Sequence, residues 1–212
     1  MTTFHIARQQ GGAVASLRRI TGAGTDKKHS MQRQSGFSLI EVSIVTAIIL
    51  LLAIIAIPAV GAYVVENKVP RVGEELARFV LQTQVNAQPG SSAPYSNIHT
   101  DSLASMVKDS TVLSVRDTGS SSTVQHGLGG SGTVTVSAHD SGASFSMTLD
   151  KVSQAACPAL ASVMQRIVDT ITIGAEGGSS TVVKSDVIEY NALQAKSHCA
   201  KGNINTFVLT TS

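Results

Sequence analysis

Two kinds of side chain in this 212-residue chain stand where chemistry is possible. The first is Glu41, a lone carboxylate in the apolar run that opens with Gly36-Phe37-Ser38-Leu39-Ile40-Glu41-Val42 and carries no further charge until Glu66. A carboxylate among apolar residues costs about 2.5–3.5 kcal/mol at a membrane centre and less near its edge, so it either snorkels at the boundary or awaits a cation. The second kind is the only cysteine pair, Cys157 and Cys199. Nothing else assembles into a catalytic set. HExxH, GxSxG and CxxC are missing, and no GxxxxGK[ST], nor any GxGxxG opening a helix after a strand, marks a phosphate loop. His99, His126, His139 and His198 are scattered singly through loop-like segments and read as surface residues. His198 beside Cys199 is a poor thiolate pair, because neighbours on a strand point to opposite faces and a disulfide would remove the nucleophile. The reading is of a protein that is not an enzyme and needs no cofactor and no metal.

Glu41 must be positioned by a long helix. Val42 to Val65 are 24 uncharged residues, and as a helix they span roughly 36 Å, enough for a hydrocarbon core of about 30 Å. The run is too long for an ordinary secretory signal, although its small residues leave cleavage after Ala62 as an alternative. Before Phe37 six basic residues, Arg8, Arg18, Arg19, Lys27, Lys28 and Arg33, face one acid, Asp26; the remainder holds ten basic and thirteen acidic residues. A net +5 leader suits retention on the cytoplasmic side of a membrane. A net −3 remainder argues against nucleic-acid binding, which needs clustered Lys or Arg on a retained surface.

The heptapeptide Gly36-Phe37-Ser38-Leu39-Ile40-Glu41-Val42 resembles the processing site of type IV prepilins. That resemblance implies cleavage after Gly36 by a membrane prepilin peptidase, methylation of the new amino terminus on Phe37, and a Glu41 that neutralises the terminal amine of a neighbouring subunit in a filament. Opposite charges near 4 Å attract by roughly 4 kcal/mol at an effective dielectric of about 20, so the pairing is physically sensible. Pro58 also falls where many type IV pilins carry a helix proline. A 36-residue leader is nearer the long leaders of the type IVb branch; a start at Met31 would instead leave a short one, and residues 11–30 read as disordered.

These features divide the chain into a leader (1–36), a long helix (37–88, with 37–65 crossing the membrane or forming a filament core) and a head (89–212). The helix is expected to kink near Pro70, resume with Val72, Leu76, Phe79 and Val80 on one buried face, and end before the breaker cluster Pro89-Gly90-Ser91-Ser92-Ala93-Pro94. In the head, a helix at 101–108 capped by Thr100 or Asp101 precedes strands at 111–116, 132–138 and 143–149. A Gly/Ser-rich flexible loop is expected at 117–132, a helix within 153–172 starting at Ser153 or Pro158, and strands at 182–183, 186–190 and 205–209. The fold class is therefore α+β, a long N-terminal hydrophobic helix packed on an antiparallel sheet of four to six strands. Both cysteines fall on the exported side, where pairing is permitted, and a Cys157–Cys199 disulfide is expected, with two separate thiols as the alternative. Type IVb pilins resemble this arrangement of helix, head and late disulfide.

The function expected from the resemblance is that of a structural subunit of a type IV pilus. Its partners are other copies of itself, the prepilin peptidase, the inner-membrane assembly machinery and, before assembly, membrane lipid; no nucleic acid is expected. Alternatives are a minor pilin or pseudopilin, a tip adhesin or DNA-uptake subunit, and an ordinary single-pass anchored protein.

Overall fold

The computed structural model describes residues 36, 38–117, 119 and 121–212. Phe37 and the leader other than Gly36 lie outside the described residues. Helix α1 (Leu39–Val85) is 47 residues long and runs through Pro58 and Pro70 without a break. The helix does not stop and resume at Pro70 as expected, for a visible reason. Pro70 is exposed while Val69 and Val72, on either side of it, are fully buried, so packing holds the turn in which proline withholds its N–H. Val69, Val72, Leu76, Phe79 and Val80 form the buried stripe, spaced by threes and fours as one helical face requires. Phe79 meets Phe145 edge-on at 6.2 Å between ring centroids, and Tyr95 leans on the same ring at 5.0 Å.

Seven strands form one antiparallel sheet among the described residues: β1 (Ser114–Asp117), β2 (Ser122–Gln125), β3 (Thr133–His139), β4 (Ser144–Val152), β5 (Thr170–Ala175), β6 (Thr181–Lys184) and β7 (Asn205–Thr211). Their order is β1-β2-β3-β4-β7-β5-β6, which places the last strand in the interior of the sheet. On β7, Asn205, Phe207, Leu209 and Thr211 are buried and alternate with half-exposed residues, the period of two that a strand with one packed face shows. Three further helices, α2 (Thr100–Met106), α3 (Cys157–Met164) and α4 (Ala192–Ser197), complete the described elements together with a short 3-10 turn at Asp140–Gly142. Gln84 near the end of α1 donates to Thr211 Oγ1 (3.2 Å) and to the Ser212 carbonyl (2.9 Å), tying the helix to the end of β7.

Several expectations for the head are corrected. The N-cap of α2 is His99. Thr100 instead exchanges hydrogen bonds with the Val136 backbone, and the Asp101 carboxylate accepts from Ser122 N–H at 2.9 Å, a bond that holds its pKa below the ordinary carboxylate value. The segment 117–132 is not one open loop: β2 lies inside it, and Val124, His126, Leu128, Gly129 and Gly132 are buried. The helix expected within 153–172 ends at Met164, and Thr170–Ala175 pairs with β7 as a strand. Residues 186–190 form no strand, with bends at 186–188, because Ser185 Oγ accepts from both Val187 N–H and Ile188 N–H and curls the chain. The sheet has seven strands, not four to six.

Candidate functional site

The candidate assembly site begins at exposed Gly36. Val42 N–H donates to the Ser38 carbonyl at 3.1 Å, so Ser38 accepts the first helical bond and stands at the N-cap position of α1. Glu41 is then in the first turn, exposed, where the unpaired N–H groups favour a negative charge by about 0.3–1 kcal/mol. Ser38-Leu39-Ile40-Glu41 also has the Ser-x-x-Glu spacing of a capping box, so the same acid suits the helix start as well as an incoming cation. Phe37, whose amine would be that cation, lies outside the described residues. Pro58 lies within α1, where its missing N–H leaves one carbonyl of the ladder without its helical donor.

From Ile44 to Val64 the large apolar side chains of α1 are exposed, Ile54 to 75 % and Ile57 to 72 %. This helix is long and apolar enough to cross a membrane. A continuous apolar surface of this size is far beyond what a monomer in water leaves uncovered, and marks a face meant for lipid or other protein.

The cysteines form a disulfide with Cα atoms 6.0 Å apart, joining the first residue of α3 to the residue pair that follows α4. Ser162 Oγ and Tyr190 Oη lie 3.0 Å apart and tie α3 to the chain just before α4. Beyond Cys199, buried Asn205 closes the chain onto the sheet: its Nδ2 donates to the Val152 and Ala200 carbonyls, both at 3.0 Å, and its Oδ1 accepts from Ala200 N–H at 2.7 Å. Its role was missed in the sequence, where an Asn opening a strand carries no distinctive spacing.

The four histidines do not come together. His99 caps α2, His139 is partly exposed beside Asp140 at 2.9 Å, and His198 ends α4. His126 departs from the expectation of a surface residue: it is fully buried with both ring nitrogens engaged. Among the described residues no three His, Cys, Asp or Glu side chains gather as metal ligands.

A glycine-preceded helix start with an acid in its first turn, a long exposed apolar helix and an antiparallel head closed by a disulfide define a type IV pilin, a structural filament subunit and not an enzyme. The chain belongs to the family described as PilS N terminal, whose model matches residues 79–212, and residues 31–57 match the prokaryotic N-terminal methylation motif. No curated protein sequence matches the chain. Among solved structures it is similar to the type IV b pilin from Salmonella typhi (20% identity, TM-score 0.44, covering 66% of this chain and 94% of that one). It is also similar to TcpA, a type IV pilin from Vibrio cholerae El Tor biotype (13% identity, TM-score 0.43, covering 70% and 99%).

Proposed function

We propose that this chain is made as a prepilin, anchored through α1 in the inner membrane with its leader in the cytoplasm, cleaved after Gly36 and methylated on Phe37, then polymerised into an extracellular pilus. The observation that carries the reading is the exposed apolar half of α1, which begins within one turn of Glu41 and has no cover of its own. In lipid the segment is satisfied as a span; in a filament, copies of the same helix cover one another. The Phe37 ammonium of one subunit would meet Glu41 of the next, and pairing relieves the cost of two charges held in an apolar core. Identical heads repeated by a non-closing operation make a fibre rather than a ring. Attachment, aggregation, motility and conjugation are the uses such a fibre serves.

The test is the chemistry of the mature terminus together with two substitutions. Mass spectrometry of the purified filament should find N-methyl-phenylalanine at Phe37; an intact Met1, or a terminus near Ala62, would overturn the reading. Gly36→Glu should leave the membrane form uncut and without pili. Glu41→Gln keeps a capping side chain but removes the charge, whereas Glu41→Val removes both. Loss of filaments in both Glu41 variants, with normal membrane insertion, assigns the role to the charge. Filaments that survive in Glu41→Gln would assign it to helix capping instead.

A further inference from the structure

The glycine-rich segment after β2 folds into a turn built around one imidazole. His126 is fully buried, with Nε2 2.8 Å from the Asp150 carbonyl oxygen and Nδ1 3.0 Å from Leu128 N. A carbonyl can only accept and a backbone N–H can only donate, so the ring carries its single proton on Nε2 and accepts on Nδ1. It is the neutral form that fits. Gly132 completes the enclosure: a Cβ there would stand 2.4 Å from Nε2 and 2.5 Å from the Asp150 carbonyl, so the ring packs directly against bare backbone. The turn is closed by His126 N–H to the Gly132 carbonyl (3.3 Å) and by Gly132 N–H to the Gly129 carbonyl (3.0 Å).

This turn also holds the approach to the disulfide. The Leu128 carbonyl accepts from Ser153 N–H at 3.0 Å, Gln154 N–H donates to the Gly202 carbonyl at 2.8 Å, and Cys157 follows at once. Charged groups lie near the turn on two elements. On β4, the Asp150 carboxylate is engaged by the N–H and hydroxyl of Thr133 and favours an imidazolium, while Lys151 beside it is exposed. From α1, Lys68 Nζ lies 3.9 Å from where a Cβ on Gly127 would be. Burial outweighs the Asp150 contributions and lowers the pKa of His126 from its ordinary 6.5.

We propose that the 126–132 turn is an acid-released latch: a proton on Nδ1 sets two N–H donors against each other at Leu128, opens the turn and frees the chain leading into the disulfide-closed segment. The closed turn resists protonation and the open one does not. The latch is therefore fully shut above the ordinary imidazole pKa. Below that value its opening constant rises by up to tenfold per pH unit, until the closed form itself takes the proton. The latch stands independently of the filament reading.

Amide exchange of the full chain in detergent micelles, followed from pH 7.5 to 4.5 and corrected for the intrinsic pH dependence of exchange, tests it. Leu128, Gly132 and Ser153 should lose protection by up to tenfold per pH unit, with a matching shift of the His126 ring signals, while β4 and β7 amides stay protected. His126→Asn, which retains an acceptor near Nδ1 but cannot titrate, should flatten the profile. Constant protection at the turn, loss spread evenly over the head, or an unchanged profile in His126→Asn would each overturn the proposal. The wild-type profile decides the matter even if that variant fails to fold.

Discussion

Helix α1 contains two halves that are one continuous helix and behave oppositely in the structure. Around Leu76 the apolar face is fully buried against the chain's own sheet; around Ile54, apolar side chains stand exposed on all sides. Burying a Leu, Ile or Val side chain is worth about 1.5–3 kcal/mol wherever the covering surface comes from. The C-terminal half collects that stabilisation when the head folds. In the N-terminal half it is deferred to whatever covers the helix next, first lipid and then other copies on the proposed reading. Residue pattern separates the two. Between Val69 and Val80 apolar residues share one face with Glu74, Arg78 and other polar residues opposite, whereas between Val42 and Val65 no charged residue interrupts any face.

A charge placed in each half gives the largest contrast. Leu76→Asp buries an unpaired carboxylate, a penalty of several kcal/mol against a total stability of about 5–15 kcal/mol, and the head is expected not to fold. Ile54→Asp should leave the unfolding midpoint of the head unchanged, measured in detergent by urea denaturation, while weakening membrane insertion by about 2.5–3.5 kcal/mol and abolishing filaments. Equal loss of head stability in both would erase the distinction between the halves.

Within the head, the disulfide is expected to matter next. It closes a 42-residue separation, for which the chain-entropy model gives about 4 kcal/mol. Cys157→Ser paired with Cys199→Ser should lower head stability by about that amount in denaturant unfolding, with no change in membrane insertion. The Ser162–Tyr190 and Asn205 ties remain in the variant and keep the native arrangement accessible, so a cooperative transition should persist.

These two regions also differ in how far they could be read from the residues. The buried stripe of α1 rests on local spacing, which a helix enforces by its own geometry, and the motif at Gly36 and Glu41 was legible through its resemblance to a prepilin processing site. Strands β3, β4 and β7 were visible for the same reason, as alternating Val, Thr, Leu and Phe between turns. β5 was hidden because Leu160, Val163, Ile167 and Ile171 happen to keep helical spacing across the true end of α3, and only pairing with β7, remote in sequence, decides the matter. The cap of α4 was legible but passed over: Asn191 Oδ1 accepts from Leu193 N–H and Gln194 N–H. His126 could not be found this way, since its burial depends on Gly132 and on β4 closing over it. The pairing proposed for Glu41 with another subunit's amine would be a property of two chains, and no single chain's geometry displays it.

The smallest effect sharpens how the buried half of α1 is seated. Gly73 lies on the packed face, and a Cβ there would stand 2.5 Å from Val163 Cγ1 and 3.4 Å from its Cβ. The helix backbone thus approaches α3 closer than any side chain permits. Gly73→Ala would gain roughly 1 kcal/mol of helix propensity, but overpacking against a stiff β-branched residue costs about 1–3 kcal/mol. The net expectation is a loss of about 1 kcal/mol, read from the urea midpoint. Adding Val163→Ala removes the clashing methyls, so the double variant should regain stability relative to Gly73→Ala alone, the non-additivity that contacting residues show. Gly61, with nothing within 4 Å of its would-be Cβ, is the control in the exposed half: Gly61→Ala should leave head stability unchanged. If Gly73→Ala proved as silent as Gly61→Ala, the close seating of α1 on α3 would not be what holds the two together.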